Sequence, residues 1–297
     1  MKRVLITGAN SYIGTSFEKW VKQQHPEDFQ VDTVDMIGDA WREKSFEGYD
    51  TVFHVAGIAH ADVGKVSEET KKFYYKINRD LAIETAKKAK EAGVKQFVLM
   101  SSMIIYGESA GIGKRKVITV NTKPHPANFY GDSKWQADKG VRGLQDEKFH
   151  VAVVRPPMIY GKESKGNYPL LAKLAKKLPV FPNVLNERSM LHIDNLCEFL
   201  YLLIKSGENG IYFPQNKEYV KTSQMVKEIA RVSGHSIWIT RAFNPFVKIA
   251  GKVPGKISGL VHKAFGNMVY EKEMSKCFEG KYQIRSLKES IEKTEGV

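Results

Sequence analysis

The sequence predicts an α/β protein, a doubly wound parallel sheet with a smaller C-terminal lobe, and three observations carry that expectation. Short β-rich runs alternate with helix-patterned segments through the first half of the chain, the order that builds parallel sheets. The first run ends in a glycine turn that opens a helix. After Arg155 the alternation gives way to Pro156, Pro157, Gly166, Pro169, Pro179 and Pro182, the composition of loops in a second lobe.

Strands are expected at 3–7, 30–35, 51–56, 96–101 and 151–155, where β-branched and large apolar residues cluster. Helices are expected at 12–24, 68–92 and 130–146, with apolar residues at helical spacing and Gly93 as a stop after the second. Only a short stretch holding Gly38, Asp39 and Trp41 separates the second and third strands, so the crossover helix there should be lost or shortened. Residues 1–160 should form the larger domain, with about 186–215 returning to it. Residues 161–185 and 216–297 should form the smaller lobe.

With 42% hydrophobic and 27% charged residues among 297, the chain can bury a substantial core. Its start shows no long apolar segment of the signal-peptide kind. The longest nearly apolar run, 196–204, is interrupted by Glu198 and falls far short of the roughly 20 residues that span a bilayer. A cytoplasmic protein is expected. Cys197 and Cys277 suit packing in a reducing compartment, and no metal-ligand spacing is present. The formal charge of +13 favours anionic partners: diphosphate-bearing small molecules, an acidic membrane surface or nucleic acid. Because the lysines are spread along the chain, nucleic acid is not expected.

The segment Thr7-Gly8-Ala9-Asn10-Ser11-Tyr12-Ile13-Gly14 links the first strand to a helix, so backbone amides and the positive helix end can face a pyrophosphate. Asp35, about twenty residues on, stands where a carboxylate accepts the adenine ribose hydroxyls. It would repel a 2′-phosphate, which favours NAD over NADP. Further along, Tyr130 and Lys134 lie four apart on one helix face. A phenol that titrates near 10 becomes a base at neutral pH only with about 4 kcal/mol of preferential phenolate stabilisation, and a nearby ammonium acts in that direction. The buried-strand run Phe97-Val98-Leu99-Met100 ends in Ser101-Ser102, which delivers the Ser102 hydroxyl to the strand's carboxyl end to bond a substrate oxygen.

These segments, with His54-Val55-Ala56-Gly57, Ile77-Asn78, Ser101 to Gly107 and Arg155-Pro156-Pro157, occur in the order and rough spacing of the extended short-chain dehydrogenase/reductases. The chain resembles their NAD-dependent epimerase/dehydratase branch, closely over about the first 215 residues and loosely beyond. The resemblance implies a Rossmann domain in which Gly8, Ser11, Tyr12, Ile13, Gly14, Asp35, Ala56, Gly57, Asn78 and Lys134 hold NAD, with Ser102, Tyr130 and Lys134 catalytic. Two departures stand out. Ser11 replaces the middle glycine, though its N–H remains available, and Met103 and Ile104 occupy the place of an acidic pair found in the sugar-nucleotide dehydratases. Neither can move a proton, so elimination of water is disfavoured. What remains is hydride transfer at C4 of a nucleotide sugar, either reversibly as a 4-epimerase or one way as a 4-keto-sugar reductase.

In the second lobe, Arg188 in Arg188-Ser189-Met190-Leu191-His192 resembles the arginine that grips the substrate diphosphate, a task suited to a forked guanidinium. Asn167 is carried over by the same resemblance as a contact to the substrate phosphates. His54, His60 and His192 read as structural. The stretch 243–270 mixes apolar residues with lysines and is broken by Pro254, which fits lobe-covering helices or a basic amphipathic surface element. The resemblance also implies a homodimer through 68–92 and 130–146. A non-catalytic dinucleotide-binding regulator is the alternative from another class, and the joint presence of Ser102, Tyr130 and Lys134 speaks against it.

Overall fold

In the computed structural model, which describes residues 1–58, 66–253 and 255–296, the elements follow the chain as β1 (Lys2–Thr7), α1 (Tyr12–Gln24), β2 (Phe29–Val34), β3 (Thr51–His54), α2 (Glu68–Tyr75), α3 (Leu81–Glu91), β4 (Gln96–Met100), β5 (Lys116–Ile118), α4 (Phe129–Arg142) and β6 (His150–Val154). The second half adds β7 (Met158–Tyr160), α5 (Asn167–Lys177), β8 (Val180–Pro182), β9 (Met190–His192), α6 (Ile193–Ser206), β10 (Gly210–Tyr212), α7 (Thr222–Val232), β11 (Trp238–Thr240), α8 (Asn244–Ala250), α9 (Lys256–Phe265), β12 (Met268–Tyr270) and α10 (Leu287–Glu295). His60 and Pro254 lie outside the described residues.

Six parallel strands form the main sheet in the order β2-β1-β3-β4-β6-β10. The α/β doubly wound expectation is met, and the central strands explain why. Every residue of β3 and β4 is buried, as in a sheet covered on both faces. One face packs Phe17 and Val21 of α1 against Leu196, Phe199, Leu200 and Leu203 of α6. The other packs Leu81, Ala82, Ala86 and Ala89 of α3 with Ala137 and Val141 of α4. Burying a large apolar side chain of this kind is worth about 1.5–3 kcal/mol, and small alanines on the second face let the helix backbones approach the sheet.

Between β2 and β3 the crossover shrinks to the single 3-10 turn Ala40–Arg42, whose Trp41 plugs the second core. The helix expected at 68–92 is interrupted by the π-turn Lys76–Asp80, which separates α2 from α3. The strand β10 was not among the expected strands; at three residues it is too short to show a period. The second lobe has its own core, in which Tyr160, Tyr168, Leu171, Met225, Ile229, Phe265 and Ile291 meet. β5, which follows β4 in the chain, pairs with β12 in a separate two-stranded parallel sheet.

Candidate active site

The order in which strands are added reverses between β1 and β3, since β1 leads to β2 on one side while β3 opens the run of strands on the other. Crevices at such points, beyond the strands' carboxyl ends, are where open α/β sheets bind ligands. Here Gly8 and Ala56 meet: the amides of Val55 and Ala56 both donate to Thr7 O, at 3.1 and 2.9 Å. Gly8 has φ +110°, and a Cβ on it would lie 2.8 Å from Ala56 N, so the turn excludes any side chain. A Cβ on Gly14 would sit 2.6 Å from Ser11 Oγ and 3.2 Å from Ile6, which fixes how closely α1 approaches the sheet.

Ser11 departs from expectation. Its N–H donates to Gly8 O at 3.2 Å instead of facing outward, and its hydroxyl caps α1 by accepting from Gly14 N at 3.2 Å. The first-turn amides of Tyr12 and Ile13, which have no intrahelical acceptor, are the donors left to an anion. Tyr12 can contribute through its backbone alone, because its buried hydroxyl points to Gly161 and has no partner among the described residues. Burial and the neighbouring acids Asp194 and Glu163 push that phenol's pKa up. Asp35 follows β2 directly and is exposed beside the turn, its Oδ1 accepting from Ile37 N at 3.0 Å. Gly8 and Ala9 donate to the carbonyl of its neighbour Val34.

Past β3, Gly57 faces two polar groups: a Cβ on it would lie 3.0 Å from Asn78 Oδ1 and 3.2 Å from Lys134 Nζ. Asn78 sits in the π-turn, a distortion common at functional sites. Its amide is fully engaged, accepting from Ile58 N at 2.8 Å and donating to Ile58 O and Ser133 Oγ at 3.2 and 3.1 Å. Helix α4 starts at the Asn128 cap, whose Oδ1 accepts from Gly131 N at 3.0 Å. One turn in, Lys134 donates to Met100 O, the last residue of β4, at 3.0 Å. Burial pushes the Lys134 pKa down to about 8.

Tyr130 packs edge-on to Tyr74, with ring centroids 6.1 Å apart. Its pKa is raised to about 12 by burial and by Tyr74, the reverse of the lowering expected from Lys134. The physical reason is that desolvation of a phenol in an aromatic wall penalises phenolate more than the ammonium one turn along favours it.

The two serines after β4 divide their work. Ser101 is buried and donates to Asp138 Oδ2 at 3.0 Å, whereas half-buried Ser102 caps the 3-10 turn Met103–Tyr106 and keeps its O–H free to donate. Sequence reasoning missed the network behind Ser101. Arg155 grips Asp138 with two bonds of 2.9 Å and reaches Tyr106 OH at 2.8 Å, stacked among Tyr106, Trp135 and Phe213. The signal was an arginine directly after an apolar strand, since a buried guanidinium requires a carboxylate partner.

His54 and His192 are buried and neutral, with pKa values pushed down to about 3 and 4 by desolvation. His54 Nδ1 bonds Thr7 Oγ1 at 2.8 Å, and His192 caps α6. Both are structural. Arg188 is half-buried between β-bridges to Val220 and Met268, and its Nη1 donates to Lys263 O at 2.6 Å. Burial pushes its pKa down to about 10. It pairs with no carboxylate among the described residues, which suits a grip for an anion. Asn167 opens α5, half-buried, and its side chain bonds no other described group. No contact brings it to Arg188. Among the described residues no cluster of His, Cys, Asp and Glu could hold a metal ion, and no helix is long and apolar enough to cross a membrane.

Comparison with known proteins gives a consistent picture. A family model described as NAD dependent epimerase/dehydratase matches residues 4–213. A UDP-glucose 4-epimerase of Vibrio cholerae is 26% identical over 313 residues, covering 99% of this chain and 94% of that one. An N-acetyl-alpha-D-glucosaminyl-diphospho-ditrans,octacis-undecaprenol 4-epimerase of Escherichia coli O157:H7 is 28% identical over 249 residues, covering 76% and 71% of the two chains. The crystal structure of a dTDP-4-dehydrorhamnose reductase from Bacillus anthracis with NADP superposes with a TM-score of 0.72 at 20% identity over 99% and 98% of the chains.

Proposed function

The chain belongs to the NAD-dependent epimerase/dehydratase family, and from that premise we propose that it is a 4-epimerase of a nucleotide-diphosphate sugar, a UDP-hexose or UDP-N-acetylhexosamine, acting in the cytoplasm as a homodimer. What supports this reading is that Ser102 follows β4, that Lys134 donates to Met100 O at the end of that strand, one turn along α4 from Tyr130, and that Met103 and Ile104 supply no second acid or base.

The cradle fits the family's cofactor: a side chain on Gly8 would fill the turn, Gly57 leaves room before Lys134, and Tyr12 and Ile13 offer free amides. NAD, when bound, supplies a hydride acceptor and a positive charge that favours phenolate nearby. Asp35 would hold the adenine ribose and thereby select NAD. Tyr130 takes the proton of the sugar C4 hydroxyl, and Ser102 donates a hydrogen bond to the same oxygen as it becomes a carbonyl. Lys134 stabilises the phenolate and, held by Met100 O, binds the nicotinamide ribose. Inversion at C4 would need the keto sugar to turn in its pocket, so that the hydride comes back to its other face while Tyr130 returns the proton to the C4 oxygen, with Arg188 retaining the diphosphate meanwhile. Asn167 is assigned to the substrate phosphates. In this reading residues 1–160 with 186–215 hold the dinucleotide, and 161–185 with 216–297 hold the substrate.

Two of the relatives are 4-epimerases of diphosphate-linked sugars, which supports C4 as the reacting carbon. The same three residues would serve a 4-keto-sugar reductase if the sugar cannot turn, and the reductase from Bacillus anthracis shares the fold. NMR of product sugars after incubation with a UDP-sugar panel and catalytic NAD tests the choice. Interconversion at C4 is expected. Turnover confined to a 4-keto sugar with stoichiometric NADH would replace the epimerase with the reductase, and silence in both would leave the non-catalytic regulator.

A further inference from the structure

Between Glu228 and Glu271 the chain has no aspartate or glutamate, although one residue in nine is acidic overall, and it carries six lysines and arginines there. Of these, Arg231 is taken up by Glu228 and Glu292, while Arg241, Lys248, Lys252 and Lys263 are exposed and form no ion pair among the described residues.

The same segment holds α8 and α9, folded as a hairpin by Ser258 Oγ and His262 Nε2, which both reach Gly251 O, at 2.9 and 3.2 Å. The hairpin covers the second lobe with Val247, Val261, Ala264 and Phe265. Its outer side should then be polar, as on an ordinary surface helix. Instead Phe246, Ile249, Ile257 and Leu260 expose between 53% and 68% of their surface. Trp238, just before the hairpin, is 68% exposed.

Apolar side chains interspersed with cations of one sign and no anions narrow the choice of partner. A second copy of this face would bring like charges together as it buried the apolar residues. A nucleic acid would use the cations and leave the aliphatic residues in water. An anionic lipid bilayer satisfies both: the aliphatic and aromatic groups enter the acyl boundary, the lysines meet headgroup phosphates, and an indole favours the interface.

We propose that the α8–α9 hairpin, with Trp238, docks this protein onto an anionic membrane surface. Lys263 O, at the end of α9, is the acceptor of Arg188, so docking sets the Arg188 guanidinium close to the headgroups. That consequence rests on the diphosphate reading of Arg188; the docking itself does not.

Flotation of the full-length protein with phosphatidylcholine vesicles containing phosphatidylglycerol, against pure phosphatidylcholine, reads this directly. The protein should float with the anionic vesicles, weakly with the neutral ones, and less as salt rises. Combined Phe246→Ser, Ile249→Ser and Leu260→Ser should lower the bound fraction about ten-fold or more while sparing turnover of a soluble UDP-sugar. Hydrogen exchange of the unaltered protein keeps the proposal testable if that variant fails to fold, with protection by vesicles expected over 241–263. A parent protein that stays at the bottom of both gradients, a triple variant that floats like the parent, or protection elsewhere would overturn the docking. So would a drop in assembly mass of the triple variant without flotation of the parent, which would assign the patch to a second copy.

Discussion

Tyr130 and Lys134 were legible in the sequence as a pair one helical turn apart, but their environment was not. The aromatic wall comes from Tyr74, more than fifty residues away, and the acceptor for Lys134 is a carbonyl on β4. Replacing Tyr130 with Phe preserves that wall and removes the proton acceptor, so turnover should fall about 100- to 10,000-fold with NAD binding retained, by NMR assay and equilibrium titration. Undiminished turnover would remove Tyr130 from the mechanism. Lys134 makes a separate prediction about stability. Its pKa is lowered from 10.5 to about 8 in the folded chain. Between those values the unfolded chain holds the proton that the folded chain has released, so this group makes stability rise with pH from about 8 to 10.5. Urea unfolding across that range should show a rise in the parent relative to Lys134→Met. Parallel pH curves for the two proteins would contradict the assigned burial.

The turn after β1 and helix α4 position the site as elements. Gly8→Ala forces a Cβ to within 2.8 Å of Ala56 N at φ +110°, which should cost more than about 1 kcal/mol and weaken NAD binding together. Calorimetric titration with NAD and thermal unfolding would read both; an unchanged NAD affinity would show that the turn tolerates the methyl. Helix α4 is anchored by Asp138, which accepts from Ser101, Arg142 and Arg155. Arg155→Met removes two of the charge-assisted bonds to this buried carboxylate and leaves Arg142 as its remaining cation, so it should destabilise by about 1.5–3 kcal/mol, measured in urea. A loss below about 1 kcal/mol would mean that Arg142 alone compensates the charge. The five longer strands and three crossover helices were visible because each is a long apolar run or a clear 3.6-residue period. The π-turn at Asn78 was not, since one extra residue shifts the phase of that period by a single position, which two short helices on either side are not long enough to reveal. The sequence shows that Ser11 stands in place of a glycine and keeps an N–H, while its role as helix cap depends on the turn it closes.

At the scale of the whole molecule, helix α2 is anomalous: no residue of it is buried, and Phe73 is 53% exposed. A polar helix of eight residues gains little stability from propensity alone and depends on packing. One side of α2 is held by Tyr75, which donates to Asp132 Oδ2 on α4 at 2.7 Å. The outer side, carrying Phe73, is open to the partner subunit of the proposed homodimer, since α2 and α4 lie together on the surface. Phe73→Glu would place a carboxylate on each copy at the contact, and like charges across a two-fold axis repel directly. Light scattering should then find the variant at the single-chain mass of 33.6 kDa and the parent at twice that. Because Tyr74 on the same helix packs against Tyr130, separation of the subunits should also lower turnover more than NAD affinity. A parent that already runs as a single chain would remove the dimer from the proposal and leave α2 supported by α4 alone.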